Sequence, residues 1–305
     1  MASITLNVAA LVRKNLLKGT TMTNESKRYN VCKKLVSGNE VSTTQLYEQT
    51  ALLSGLGLPT VVNEYGALPT TQLTVPYTKT HTPLKRALQV RFSGEVQRKD
   101  QYGKIRGTGK SLSHVFYVME EIDAAKYLNA ATNSALLSTP AGQPYWSTAH
   151  PLESGTDSNR FTTALALGAS ALEQAVQNLQ GLKAHKGYVN PIAGPFCLEV
   201  ASGNAMMAKR LLGSEYRPQS ADNDINPIAG QVTEYISGPW FTNSGYWSIH
   251  SMSDMENRRI KITGEGFTVT GAEYDQDDDS WKMSARTEFI YDILDYRDVW
   301  GSPAS

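Results

Sequence analysis

The chain has 305 residues, of which 40% are hydrophobic, so it can fold as one large domain or two closely packed ones with a substantial core. Its 29 Lys and Arg residues balance its 29 Asp and Glu residues. A dedicated nucleic-acid binder usually carries a strong basic excess, so this balance argues against that class of protein.

Two cysteines, Cys32 and Cys197, lie far apart, and this spacing predicts neither a disulfide framework nor a metal motif. No apolar run approaches the length of a membrane span. The basic residues near the N-terminus follow the short apolar run there, which is not the order of a signal peptide. We therefore expect a protein that is made in the cytoplasm and does not enter a membrane.

The first predicted element is a helix in STTQLYEQTALLSGLG, residues 42–57. Thr43 or Thr44 would cap its N-terminus, and Gly55 or Gly57 would end it. From residue 58 to residue 92 the pattern becomes strand-like, with many β-branched residues and interrupting prolines. Because proline is confined to edge strands, this segment predicts an extended hairpin that has to lie on another surface.

A long helix is predicted at about residues 108–135, because apolar residues recur there at spacings of three and four. Its stripe consists of Leu112, Val115, Phe116, Met119 and Ile122. Another helix is expected at about 164–184, then a buried strand in PFCLEVA, a helix in GNAMMAKRLLGSEY, a polar loop at 217–230 and several strands. The sequence therefore predicts the α+β class.

The stretch Gly107–Ser111, GTGKS, has the look of a nucleotide-binding loop. Such a loop needs GxxxxGK followed by Ser or Thr, but position 104, where the first glycine belongs, is Lys104. The charged residues before it are also unlike a buried strand. We interpret the stretch as a turn that leads into the long helix, with Lys110 in solvent.

Other candidate sites are also better explained by structure than by chemistry. The acidic residues at 275–279 and 222–226 lack the glycine and glutamate positions of a calcium loop, so ordinary turns are expected. His150 lies among aromatic residues, which favours a packed, hydrogen-bonded side chain over a metal ligand. We expect no catalytic residue, cofactor or metal, and a structural protein instead of an enzyme.

The C-terminal half carries a specific order of motifs. It contains YWSTAHPLESG at 145–155, a helix ending in AKRLL at 208–212, and the closing sequence FIYDILDYRDVWGS at 289–302. In this order the chain resembles the major capsid proteins of tailed bacteriophages, and most closely the Mu-like major head subunit group, which has the Hong Kong 97-type fold. The resemblance covers about residues 140–305.

The resemblance implies an α+β, Hong Kong 97-type capsid fold, with an N-terminal arm, an extended hairpin called the E-loop, a long spine helix, and peripheral and axial domains. Its parts are expected as an N-terminal arm at 1–57, the E-loop at 58–92, a peripheral domain with the spine helix at 93–147, an axial domain at 148–250, and C-terminal strands at 251–305 that return to the peripheral and axial body.

The resemblance also implies a function. Copies of the chain would form hexamers and pentamers of an icosahedral shell that encloses phage double-stranded DNA through weak contacts. A separate scaffolding protein, a portal and a possible decoration protein are expected partners, with the virion as the final location and the host bacterial cytoplasm as the place of assembly. One alternative is an encapsulin-like nanocompartment shell of the same fold. Another is a nucleotide-binding enzyme that uses Lys110.

Contacts between subunits are expected on the hairpin and on the polar loop of the axial domain. The candidates are Tyr65, Leu68, Lys79, Lys85, Arg86, Arg217, Asn223, Asn226 and Pro227. Some relatives cross-link a hairpin lysine to an asparagine of a neighbouring subunit, but the hairpin of this sequence shows no specific motif for that reaction.

Overall fold

The structure is a computed structural model, and it describes residues 31–36, 39–99, 108–214, 216, 225–253 and 258–303. The described helices are α1 Val31–Val36, α2 Gly94–Arg98, α3 Thr108–Ala124, α4 Lys126–Asn129, α5 Ala169–Gln180 and α6 Ala205–Gly213. The described strands are β1 Glu40–Ser42, β2 Glu48–Leu52, β3 Tyr77–His81, β4 Leu84–Ser93, β5 His150–Pro151, β6 Thr156–Asp157, β7 Phe196–Ala201, β8 Val232–Gly238, β9 Trp247–Ser251, β10 Arg259–Thr263, β11 Thr268–Asp275, β12 Ser280–Ile293 and β13 Val299–Ser302.

The larger sheet is built around β12, which has 14 residues and pairs antiparallel with β4, β10 and β11. β1 adds to the edge of β10 in parallel. Alternate residues of β12 are buried, as expected for a strand with one face on a core. The long helix α3 covers this face, where Leu112 and Phe116 pack in one cluster with Trp281 and Met283.

The smaller sheet has the strand order β13-β9-β7-β8. All six residues of β7 are buried, which explains its largely apolar sequence FCLEVA, interrupted by Glu199. Helix α5 packs on β9 and β13, and α6 packs on β7 and β8. Leu172 and Leu179 of α5 and Leu211 of α6 are buried in the resulting core.

A shared core joins the two sheets. It contains Cys197 of β7 and Phe289 and Tyr291 of β12, together with the fully buried Trp146. Gly301 of β13 lies against the ring of Trp146, and a Cβ atom at this glycine would come within 2.4 Å of the indole. The glycine is therefore required for the indole to pack between the sheets.

The prediction of a long helix is confirmed by α3 and α4, which cover residues 108–124 and 126–129 of the predicted 108–135. The helix predicted at 42–57 is wrong. Residues 48–52 form strand β2 instead, because β3 offers a pairing partner 25 residues further along the chain. The hydroxyl of Thr43 accepts a hydrogen bond from Gln45 N at 3.0 Å and makes a local turn, not a helix cap.

Candidate assembly surface

A two-stranded hairpin forms the most exposed part of the described chain. β2 and β3 pair antiparallel from Glu48↔His81 to Leu52↔Tyr77, and residues 53–76 connect them without further strand. Ser54 N donates to Thr74 O at 2.9 Å, which extends the pairing by one step. We call residues 48–81 the arm, which is distinct from the expected N-terminal arm at 1–57, and we call residues 53–76 its connection. The bounds of the hairpin therefore differ from the predicted 58–92. The arm begins ten residues earlier, and residues 84–93 join the larger sheet as β4.

The connection exposes its apolar side chains instead of burying them. Val61 and Tyr65 are 101% and 98% exposed. The exposed large apolar residues of the connection are Leu53, Leu56, Leu58, Val61, Val62, Tyr65, Leu68, Leu73 and Val75. Apolar surface concentrated in this way marks a site of contact with another molecule. The arm therefore has the composition of an interface and not of a solvated loop.

The base of the arm is fixed to the body by charged and polar groups. Lys79 of β3 forms an ion pair with Asp292 of β12, with Nζ 2.5 Å from Oδ1, and also donates to Ser138 O. His81 is fully buried, with Nδ1 2.7 Å from Asp292 Oδ2 and Nε2 2.7 Å from Thr50 Oγ1. A single carboxylate of the body thus contacts two residues of the arm.

The pKa shifts at the base agree with this pairing. Burial alone would raise the pKa of Asp292, but the hydrogen bond from His81 and the charge of Lys79 bring the pKa of this carboxyl below its usual value. Burial lowers the pKa of Lys79, and Asp292 opposes that change. Asp292 therefore stays ionised near neutral pH.

A ring contact adds to the anchoring of the arm. Tyr77 of β3 meets the ring of His185 edge to face, with 6.1 Å between the ring centroids. β2 and β3 pair with each other and, among the described residues, with no other strand. Side chains at the base, not a continuous sheet, therefore join the arm to the body.

The body contains a buried ionic joint between its two sheets. Arg259 of β10 is fully buried, with Nη1 2.5 Å from Glu199 Oε1 and Nε 2.9 Å from Asp298 Oδ2. Tyr145 donates to Asp298 at 2.9 Å, and Ser248 donates to Glu199 at 2.8 Å. One guanidinium therefore holds together a strand of the smaller sheet and the segment just before β13.

Two carboxylates share this guanidinium, and their pKa values diverge. Burial acts against ionised Glu199, but the charges of Arg259 and His250 bring its pKa far below the usual range. Burial raises the pKa of Asp298 in spite of the opposing charge of Arg259. Buried charges of this kind are tolerated only when paired, so the joint is a structural element of the body.

Four of the predicted contact residues are exposed. Tyr65 and Leu68 lie on the connection, and Tyr65 takes a positive φ of 61° in the turn that Gly66 N closes on Asn63 O. Lys85 on β4 and Pro227 in the loop before β8 also face solvent. These four side chains are available to a second molecule.

Three other predicted contact residues bond within their own chain. Lys79 lies at the base of the arm, as described above. Arg86 lies with its guanidinium carbon 4.3 Å from the ring centre of Phe289, and its Nη2 lies 3.1 Å from Asp123 Oδ1. Asn226 is buried and donates to Leu211 O and Ser214 O at the end of α6. The remaining two, Arg217 and Asn223, lie outside the described residues.

Sequence reasoning missed most of the exposed residues of the connection, such as Leu56, Leu58 and Leu73. It also missed Asp292 and Thr50, which fix the base of the arm. The spacing of the prolines was the available signal, because it marks a segment that cannot be a central strand. The hydrogen bonds that link Thr50, His81 and Asp292 join positions far apart in the chain, so they leave no local sequence pattern.

The other candidate sites lie in ordinary structural elements, with one correction. Residues 108–111 of the GTGKS stretch form the first turn of α3 itself instead of a turn before it, and Lys110 is exposed there. The acidic residues at 276–279 form the turn between β11 and β12, whereas Asp222 and Asp224 lie outside the described residues. His150 is buried, with Nε2 2.9 Å from Asn159 Oδ1 and its ring stacked 3.6 Å from that of Tyr296. In the part of the chain that the structure describes, no group of three His, Cys, Asp or Glu residues is arranged to hold a metal ion. None of the helices described there is long and apolar enough to cross a membrane.

Comparisons with known proteins give one matching family and several solved structures of similar fold. A family model described as phage capsid protein matches residues 76–300. No curated protein is significantly similar in sequence. Similar solved structures include the capsid of the native GTA particle, with a TM-score of 0.58 and 10% identity over 91% of each chain. The mature capsid of bacteriophage PhiM1 has a TM-score of 0.55 and 9% identity over 87% of this chain and 85% of that one. The capsid of bacteriophage JBD30 has a TM-score of 0.54 and 13% identity over 68% and 90%.

Proposed function

The chain belongs to the phage capsid protein family, and from this membership we propose that its copies form the hexamers and pentamers of an icosahedral phage head. Its α+β architecture and its structural neighbours give it the Hong Kong 97-type capsid fold. The family places the protein in the virion and indicates a structural, non-enzymatic role as a major capsid protein. The icosahedral geometry of the shell and its further partners are part of what we propose.

The exposed connection of the arm is the single observation that carries the proposal. It presents apolar side chains on a projection that its own body does not cover. Repeated contacts of this kind between identical subunits are heterologous, and they generate closed rings when the rotation closes. A capsomer built from such contacts would bury the connection of each copy on the next one.

The charge balance supports a shell that holds DNA loosely. Basic and acidic residues are equal in number, at 29 each. Strong binding to phosphates requires many Lys and Arg contacts and depends steeply on salt. Double-stranded DNA would accordingly be retained by confinement in the shell, with only weak contacts to its wall.

The finer parts of the proposal rest on the order of motifs in residues 140–305. This order favours the Mu-like major head subunit group within the family. In that setting a separate scaffolding protein, a portal and a decoration protein would act with the shell, and assembly would take place in the host bacterial cytoplasm.

Electron microscopy of the purified full-length chain tests the proposal. We expect closed particles or ring-shaped capsomers from the unmodified chain. A triple variant with Val61→Asn, Tyr65→Asn and Leu68→Asn should remain unassembled, because it removes apolar surface from the connection. A matched control with Thr60→Ser, Thr70→Ser and Gln72→Asn changes exposed polar residues of the same segment and should assemble normally.

Two outcomes would contradict the proposal. The first is an unmodified chain that stays monomeric at high concentration, and the second is a triple variant that assembles as well as the control. The content of native particles separates the proposed head from a nanocompartment of the same fold. Packaged double-stranded DNA supports the head, and particles that contain protein cargo without DNA would support the compartment.

A further inference from the structure

The contacts at the base of the arm suggest a role beyond attachment. Lys79 and His81 are two residues apart on β3, so both side chains leave the strand on the same face. Both reach Asp292, and His81 continues to Thr50 on the paired strand β2. We propose that Lys79, His81, Thr50 and Asp292 form a latch that fixes the direction of the arm relative to the body and that can be released without unfolding the body.

The body holds Asp292 rigidly, so the latch has a fixed half. The carboxylate oxygen Oδ1 accepts a hydrogen bond from Ile293 N at 2.9 Å. The backbone carbonyl of Asp292 accepts one from the fully buried Tyr127 hydroxyl at 2.8 Å. Asp292 is also the penultimate residue of β12, the central strand of the larger sheet. An arm bound to this carboxylate takes its orientation from the core of the body.

The other charged groups near the latch have partners of their own. Lys126 contributes a positive charge near Asp292, but its Nζ also lies 3.9 Å from Asp123 Oδ2. Asp123 in turn accepts a hydrogen bond from Arg86. Lys79 is therefore the cation that contacts the Asp292 carboxylate, and its side chain is only 13% exposed.

The chemistry of the latch makes it directional. Charge-assisted hydrogen bonds require close distances and good alignment, so they hold one orientation, whereas apolar contacts tolerate sliding. Removing one member of a buried pair leaves the other charge uncompensated and favours separation into water. When the contacts at the base are lost, β2 and β3 are left with their mutual pairing alone. A two-stranded hairpin without further packing is only marginally stable, so its backbone hydrogen bonds should open more often.

A released arm and a latched arm would hold the connection in different positions relative to the body. This consequence rests on the proposed function: in a shell, the direction of the arm sets the angle between neighbouring subunits. A latched arm would fix one curvature, and a released arm would allow several. The latch itself concerns a single chain and can be tested without assembly.

Hydrogen–deuterium exchange on the unassembled full-length chain tests the latch. The variants are Asp292→Asn, which keeps the shape of the side chain, and Lys79→Met, which changes only the arm. We expect amides in residues 48–52 and 77–81 to exchange at least tenfold faster in both variants, while β7 is unchanged. Asp277→Asn and Lys85→Met remove exposed charges elsewhere and should leave the arm unchanged.

The results separate the latch from general stability and from the proposed function. Unchanged exchange in the arm of Lys79→Met would overturn the latch. Equal acceleration in β7 would overturn it too, because the pair would then support the whole body. Under conditions where the unmodified chain forms particles, the variants should give a broader distribution of diameters. Absence of particles from the unmodified chain would contradict the proposed function and leave the exchange result standing.

Discussion

The body and the arm differ in which side chains they bury and which they expose. The body buries charged groups at its centre and pairs them, as Arg259 does with Glu199 and Asp298. The arm exposes large apolar groups such as Val61 and Tyr65, and none of the residues that the structure describes covers them. The difference teaches that the body balances its buried charges within one molecule, whereas the arm leaves apolar surface that the proposed assembly would cover.

Substitutions in the body and in the connection should therefore affect different properties, namely stability and association. A change in the body should lower the free energy of unfolding of the isolated chain. A change in the connection should leave that free energy nearly constant and affect association instead. The expected effects on the unfolding free energy decrease from the buried ion pairs of the body to the exposed side chains of the connection.

Arg259→Met should have the largest effect, because it leaves Glu199 and Asp298 buried without their shared cation. Loss of one partner from a buried pair costs about 3–5 kcal/mol. Urea denaturation of the purified chain measures this loss. Arg286→Met is the control, since its ion pair with Glu265 is exposed and contributes less than about 1 kcal/mol. Equal losses in both variants would contradict the importance of the joint.

His150 should make stability fall with acid. Burial lowers its pKa to about 4 in the folded chain, against about 6.5 when unfolded. The unfolded state therefore binds the proton first as the pH falls, and folding stability is lost between about pH 6.5 and pH 4. This difference corresponds to about 3 kcal/mol.

The measurement for His150 is the slope of the unfolding free energy against pH, compared between the unmodified chain and His150→Gln. The slope should be smaller in the variant, whatever its absolute stability. His185, whose pKa burial also lowers, is present in both chains and cancels in the comparison. Identical slopes would show that His150 does not titrate as its burial requires.

Gly301→Ala should cost less than the loss of the ionic joint. The added Cβ would come within 2.4 Å of the Trp146 ring, and the surrounding core leaves the indole little room to move. Overpacking of this kind costs about 1–3 kcal/mol. The midpoint of thermal unfolding reports it, with Gly266→Ala as the control, because that glycine has open space around it. A midpoint equal to that of the control would refute the close packing.

The triple variant Val61→Asn, Tyr65→Asn and Leu68→Asn should have the smallest effect on stability. Surface substitutions away from special features change it by about 0.5 kcal/mol or less. Denaturation of the unassembled chain should therefore be almost unchanged, although assembly is expected to fail. A loss of several kcal/mol would mean that the connection packs on its own body.

The sequence predicted elements well where their pattern was local. The stripe Leu112, Phe116 and Met119 identified α3, and the apolar run around Cys197 identified β7. It failed at 42–57, because good helix formers there are overridden by pairing of β2 with β3. The prolines indicated an uncovered hairpin, but its strands were misplaced for the same reason.

The candidate site was predictable only in part. Exposure of Tyr65 and Leu68 followed from their position in a turn-rich segment. Lys79 was expected to contact a neighbour, but its Nζ reaches Asp292, 213 positions away in the chain. A contact across that separation depends on the fold of the larger sheet and has no signature in the local sequence.

Cross-linking from the tip of the arm tests most directly whether a second copy covers it. Tyr65 is replaced by the photoreactive benzoylphenylalanine, and particles are assembled from an equal mixture of ¹⁴N and ¹⁵N chains. Because Tyr65 is 98% exposed in the single chain, irradiation should give cross-linked peptides of mixed isotope composition. Cross-links confined to peptides of one isotope, joining residue 65 to its own body, would contradict the account.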